Sequence, residues 1–375
     1  MKLKLFNLKT LWLIGLVAAV NITRAQSLLD IDNPLSDTSS AIISTTPQAN
    51  FPALAGPDTD LKSMIENSGI KEKIKKYSKV YPAGNNELRI ENSFGQVTVN
   101  TWDRNEFKVD VFIKVNADDE TDARAFLDVI NITDNKAGAL VSFKTSIGNN
   151  ESWSPELWKG DGQARIKKIT INYVIYMPVK NALSVNNRYG NIILPNLNGK
   201  LMINNFYGNL KAKRLLNQLN EIKVRSGDVD IETLTGSNLE IIQGSLNLLE
   251  GDKLNVDISY GPAKIGRIST SGNIRVKFCG TLKINDLDKD LKALNISSSY
   301  SNVKVSMASQ KNANFDITTH YGMFNSSSAN SINILNQTPI DSGYSSTKSY
   351  QGRLGKGDPG KMITIKSDFG AVKFN

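Results

Sequence analysis

One repeated corner limits what this chain can fold into. A glycine, usually preceded by an aromatic residue and followed two places later by an apolar one, recurs in NRYGNIIL, NFYGNLKA, VRSGDVDI, IQGSLNLL, SYGPAKIG, FCGTLKIN, SYSNVKVS, HYGMFNSS and, at the end, DFGAVKFN. The glycines at 190, 208, 227, 244, 261 and 280 are 18, 19, 17, 17 and 19 residues apart. Ser301 takes the glycine place 21 residues after Gly280, and Gly322 follows 21 residues later. Ser271-Gly272-Asn273 is an extra match off the period. The period breaks between Gly322 and Gly370, where a loop rich in Ser, Gly and Lys near 341–360 intervenes.

A period near 20 with one β unit per repeat is the signature of stacked rungs. Each repeat has an alternating arm before the glycine and another after it, as in LNVDISY-G-PAKIG. One arm alone cannot bury its apolar side. Rungs stacked about 4.8 Å apart bury those sides against each other and pair the backbone. The glycine would either adopt a positive-φ corner or let two backbones pack closely. The ring before it, at Tyr189, Tyr207, Tyr260, Tyr321 or Phe369, would stack on the ring of the next rung. Asn187, Asn205 and Ser259 lie beside the corner and would form a hydrogen-bonded ladder. A meander of hairpins would favour two-residue turns such as Asn-Gly. The expected fold is therefore mainly β: a single-chain parallel β-helix or β-roll solenoid over 181–375, preceded by an N-terminal β-rich part carrying one short helix.

That part, 81–180, contains the alternating runs ELRIENSFGQVTVN and FKVDVFIKV. Between them and the next strands lies DDETDARAFLDVI, whose apolar residues Ala123, Phe126, Leu127 and Ile130 follow helical spacing. Acids crowd its start, as the helix dipole prefers, so a helix is expected over 118–130. Ala139–Thr145 and Ile166–Met177 return to alternation, separated by a long loop with Trp153 and Trp158. This part is expected to cap one end of the stack, and the C-terminal loop or a partner the other, because solenoid ends expose unpaired edges.

Residues 1–25 read as a secretory signal: Lys2, Lys4 and Lys9, then the apolar run Leu11–Val20, then small residues at Thr23 and Ala25, with cleavage expected before Gln26. The run is too short to span a bilayer, which takes roughly 20 residues. No cysteine follows it, so a lipoprotein anchor is not expected. Residues 26–80 read as a flexible leader rich in Ser, Thr, Pro, Asp and Asn, with the spacing of a short helix at 61–70. The basic run KEKIKKYSKV reads as a solvated helix or edge strand ahead of a lipid- or glycan-binding surface.

The chain resembles the bacterial putative-adhesin family, exported β-helical repeat domains of unknown function common in Bacteroidetes-type bacteria. The residues that carry the resemblance are ELRIENSFGQVTVNTWDRNEFKVDV, DDETDARAFLDVI, ITINYVIYMPVKNALSVNNRYGNIIL and the later Tyr-Gly repeats, roughly 80–375. The resemblance implies an exported β-solenoid and supplies no catalytic residues.

Chemistry is scarce. His320 is the only histidine and Cys279 the only cysteine, so neither a hydrolytic triad nor an ordinary zinc site can be assembled. With one cysteine no internal disulfide forms, and Cys279 in its alternating run reads as a buried structural thiol. The acids Asp228, Asp230 and Glu232, and Asp286, Asp288 and Asp290, alternate along their arms. Paired carboxylates serve glycoside hydrolysis, but alternation also puts polar residues on the solvated face. The net charge is +9, and four of those charges lie in the first 25 residues, leaving a mild +5 that gives no concentrated basic stripe for nucleic acid. No cofactor or metal is expected and no catalytic residue is assigned. The expected function is an exported, non-enzymatic protein of the periplasm, cell surface or medium, a binding scaffold for glycan or protein. A structural envelope protein without a specific ligand, or a polysaccharide-active β-helix enzyme, are the alternatives.

Overall fold

A computed structural model describes residues 69–148, 159–160, 163–326, 331–338 and 345–375. All of them fall in one compact unit, Asp58–Asn375. The signal at 1–25, the leader to residue 68 with most of its 61–70 helix, and Trp153 and Trp158 lie outside the described residues.

The N-terminal part holds β1 (Lys71–Pro82), β2 (Glu87–Ser93), β3 (Val97–Thr101), β4 (Glu106–Ala117), α1 (Glu120–Asp128), β5 (Ile130–Ala137), β6 (Leu140–Ile147) and β7 (Ile166–Met177). The chain from Lys71 is thus strand and not leader: β1 pairs antiparallel with β4 along its whole length. Among the described residues it has no second strand partner, so it is an edge there, and its lysines suit that position by discouraging further pairing. Helix α1 starts two residues later and ends two residues earlier than the sequence window. Asp119 caps it by accepting from the Asp122 N–H at 2.8 Å, and Ala123, Phe126 and Leu127 form its buried face.

From Leu183 onward the arms pair in parallel. Before the corners, one buried column runs Phe143, Ile90, Val185, Ile203, Ile222, Leu239, Val256, Ile274, Ile296, Ile365, Ile317. After the corners a second runs Ile192, Leu210, Val229, Leu246, Ala263, Leu282, Val303, Val372, Phe324. Alternation puts every one of these residues on the inner side, where all but Phe324 are buried. The protein is mainly β, with one helix among the described residues. Twenty-five strands join in one continuous sheet that curls into a nearly closed, barrel-like wrap.

Stack order departs from chain order at both ends. The β2–β3 arms lie between β6–β7 and the arms of residues 183–194. The last arms, Met362–Asp368 and Val372–Phe374, slot between Ala293–Val305 and the earlier Ala313–His320 and Phe324–Asn325. The period break after Gly322 follows from this. The chain leaves the stack, lays Thr347–Leu354 antiparallel on Ala313–His320, and returns to fill the vacant position. Ile332–Gln337 then covers Thr347–Leu354, again antiparallel. No helix among the described residues is long and apolar enough to cross a membrane.

Candidate functional site

The corner itself is the most repeated piece of surface. In the left-handed region stands the residue before each glycine, and the glycine itself does not: Tyr189 (φ 58°), Tyr207 (57°), Ser226 (56°), Gln243 (59°) and Tyr260 (63°). The glycine is required for the other reason, close approach. A Cβ on Gly208 would sit 2.0 Å from the Gly190 carbonyl oxygen, and one on Gly227 2.0 Å from that of Gly208. Each corner therefore rests its bare Cα on the carbonyl of the corner below.

The rings placed in this way form a column. Phe94, Tyr189 and Tyr207 stack with centroids 5.2 Å apart. Tyr260, Phe278, Tyr300, Phe369 and Tyr321 stack at 4.7 to 5.3 Å. The order again shows Phe369 between Tyr300 and Tyr321. Between the two segments stand Ser226 and Gln243, joined by a Ser226 Oγ to Gln243 Oε1 hydrogen bond of 3.2 Å. Seven of the eight rings are exposed, Tyr207 most of all at 59%. A left-handed non-glycine residue costs about 1–2 kcal/mol, and a stacked aromatic pair returns about 0.5–1.5 kcal/mol. The stack thus offsets the backbone strain that its own rings incur. Ring faces are spent on each other, so edges and hydroxyls face outward. None of the tyrosine hydroxyls in the column bonds to another described residue.

Inside the corner a polar cap recurs. Asn187 Nδ2 donates to the Gly190 carbonyl at 2.8 Å and Asn205 Nδ2 to that of Gly208 at 2.7 Å. Asn92, Asn187 and Asn205 also bond to one another as a ladder. Ser298, Thr319 and Ser367 cap their own corners by the same three-residue reach. The expected ladder holds for Asn187 and Asn205 but not for Ser259. Ser259 lies in register with Ile242 and Lys277, one place further along and on the outer side, while Ile258 occupies the inner position.

Two adjacent rungs depart from the rule: Ser301 stands in the glycine place after Tyr300 (φ 50°), and the rung paired with it carries an extra residue. The register shifts between Lys277 and Gly280, so Phe278 and Cys279 together face Tyr300, while Gly280, at φ 64°, stays in register with Ser301. The Cys279 N–H donates to Ser301 Oγ at 2.8 Å and its thiol to the Ile258 carbonyl at 3.3 Å. Burial pushes the thiol pKa up. His320 ends its arm with Nδ1 2.8 Å from Thr347 Oγ1 and its ring edge against Tyr321.

The paired acids tie rungs together. Asp228 accepts from the Ser245 N–H and hydroxyl, and Asp230 from Asn247. Asp286 accepts from Ser309 and pairs with Arg267, which also reaches Asp288 at 3.8 Å. Among the described residues no group of three or more His, Cys, Asp or Glu is placed to hold a metal ion.

Sequence reasoning missed one cluster in the N-terminal part. The hydroxyls of Tyr77 and Tyr81 both donate to the Asp134 carboxylate, with Lys79 at 3.9 Å. Burial would raise the Asp134 pKa, but the two hydroxyls and Lys79 outweigh it and hold the group below the usual carboxylate range. Burial, then the Asp134 bond, drives Tyr77 up; for Tyr81 the bond comes first. The signal was the four-residue spacing of Tyr77 and Tyr81, which places them on one side of a strand, in a segment otherwise read as leader.

No family model matches the sequence, and no curated protein matches it. Solved structures do. A putative adhesin from Bacteroides fragilis NCTC 9343 is 12% identical, with 80% of this chain and 97% of that chain covered and a TM-score of 0.34. A putative cell adhesion protein from Clostridium sporogenes ATCC 15579 is 11% identical, with 80% and 99% covered and a TM-score of 0.20. Both of these structures are named as putative adhesion proteins. A putative lipid binding protein from Parabacteroides distasonis ATCC 8503 is also similar, at 11% identity, 81% and 96% coverage and a TM-score of 0.31. At such identities no residue role passes from them to this chain.

Proposed function

We propose that the chain is an exported, non-enzymatic binding scaffold of the cell envelope or surface. Its two parallel ladders act as the faces of a β-solenoid that presents repeated side chains in rows. The observation that carries this reading is the exposed aromatic column at the corners. Rings on an outer corner add nothing to the core, and a chain built only for packing has cheaper residues for the left-handed position, such as asparagine. Of the candidate acids, Asp228, Asp230, Asp286 and Asp288 are engaged in ties between rungs, which favours the scaffold over the enzyme.

A structural envelope protein is the second reading, because in-register ring stacking also stiffens the stack. The test is an array of envelope glycans and proteins probed with the full-length exported protein. Binding that weakens in Tyr260→Ser, Tyr300→Ser protein supports the scaffold; silence across the array favours the structural role. Glycan cleavage abolished by Asp228→Asn with Asp230→Asn would overturn the non-enzymatic reading.

A further inference from the structure

The repeats after the corner carry a second row that the aromatic column does not explain. Lys264 is in register with Lys283, Lys283 with Lys304, and Lys304 with Lys373. Each is the central residue of PAKIG, TLKIN, NVKVS or AVKFN. Partners in neighbouring strands lie about 4.8 Å apart, so four ammonium-bearing side chains rise from adjacent rungs in single file. Like charges opposite each other in a sheet are destabilising. Here the arrangement is accepted at four successive rungs.

The surroundings do not neutralise it. None of the four lysines makes an ion pair or hydrogen bond with a described residue. Two positions along the strand to either side the side chains are uncharged in all four rungs, as with Pro262 and Gly266 around Lys264, or Asn302 and Ser306 around Lys304. The row ends in amides: Asn247 is in register with Lys264, and Asn325 with Lys373. At several other places the stack sets its cations against acids. Lys211 is in register with Asp230, Lys223 and Arg225 reach Glu240, and Arg275 reaches Asp257. The uncompensated row also depends on the out-of-order rung, since the last arms bring Lys373 beside Lys304.

We infer that this row binds a linear acidic polysaccharide lying along the stack, across the rungs, with carboxylate or sulfate groups on successive sugars meeting successive lysines. This rests on the scaffold reading and names its ligand class. The row is one lysine wide, which fits a single extended chain better than the broad surface of a membrane. Bases of a single-stranded nucleic acid need open ring faces to stack on, and in the same rungs the faces of Tyr260, Phe278, Tyr300 and Phe369 cover each other. Sugar hydroxyls can use the ring hydroxyls at that corner and the neutral Asn, Thr and Ser beside the lysines.

The test uses full-length exported protein with polygalacturonate and dextran sulfate as probes, and neutral dextran, anionic phosphatidylglycerol vesicles and single-stranded DNA as comparisons, titrated at two salt concentrations. Binding to either acidic polysaccharide, weakened by salt and absent for neutral dextran, is expected. Lys283→Gln with Lys304→Gln should weaken it by roughly tenfold, two exposed ionic contacts' worth. The variant should melt no lower than the wild type, because it relieves repulsion. Lys211→Gln with Lys223→Gln removes the same charge from balanced positions and should leave affinity within about twofold. Equal loss in both double variants would reduce the row to general charge and overturn the inference. So would tighter binding to vesicles or DNA, or no binding to either polyacid. If the polyacids fail while other array ligands bind, the scaffold reading survives; silence everywhere removes both.

Discussion

The corners at Tyr189 and Tyr207 and those at Ser226 and Gln243 share one backbone and differ in the side chains that fill its inner position and stand at its outer one. In the first pair, asparagines 187 and 205 fill the inner position and cap the glycine carbonyls, while rings stack outside. In the second, Val224 and Ile241 take the inner position and Ser226 and Gln243 bond to each other outside. The left-handed residue and the glycine contact are the same in both, with φ near 57° and a missing Cβ about 2 Å from a carbonyl oxygen. The difference teaches that neither ring nor cap is needed to turn the corner. Glycine and parallel pairing turn it, and the rings are an addition whose persistence along both segments calls for another purpose.

The comparison breaks first at glycine. Gly208→Val and Gly227→Ala both force Cβ atoms into the carbonyl of the preceding rung, and urea denaturation should show a loss of about 3 kcal/mol or more for the valine and somewhat less for the alanine. If Gly227→Ala were neutral while Gly208→Val was not, the two corners would not share their packing. Next comes the cap. Asn205→Val copies the aliphatic solution of its neighbour but strands the Gly208 carbonyl and an Asn187 amide hydrogen, at about 1–3 kcal/mol. The opposite change sharpens the comparison: Ser226→Tyr with Gln243→Tyr should join the two ring segments and stabilise by about 1 kcal/mol, read as a higher melting temperature.

The smallest effect contrasts the N-terminal part with the stack. Asp134 has a depressed folded pKa, so its contribution is complete above the unfolded value of about 3.9 and is lost as pH falls through the lower folded value. Melting curves of wild type and Asp134→Asn should converge below pH 4 and separate above it. A constant gap across that range would contradict the bonding to Tyr77 and Tyr81.

Much of the fold was legible because its forces are local and periodic. Alternation marked the arms, helical spacing and an acidic start marked α1, and the glycine period marked the rungs. What stayed hidden depended on which rung meets which. Ser259 looks like Asn205 in a string of letters, yet one residue of register turns it outward. For KEKIKKYSKV the sequence left a solvated helix and an edge strand open, because a lysine-rich edge strand has the composition of a solvated segment; pairing along the Glu106–Ala117 strand decides for the edge strand.

By itself, then, the sequence determined that this chain builds repeated two-armed β units that turn at a glycine, since side-chain alternation and the absence of a Cβ act within a few residues. The tertiary structure alone decided that the residue before the glycine bears the positive φ, that the last arms insert ahead of an earlier rung, and that Lys373 thereby falls into file beside Lys304. Those outcomes hang on hydrogen bonds between strands far apart in the chain, and pairing partners of that kind are fixed only when the whole stack is assembled.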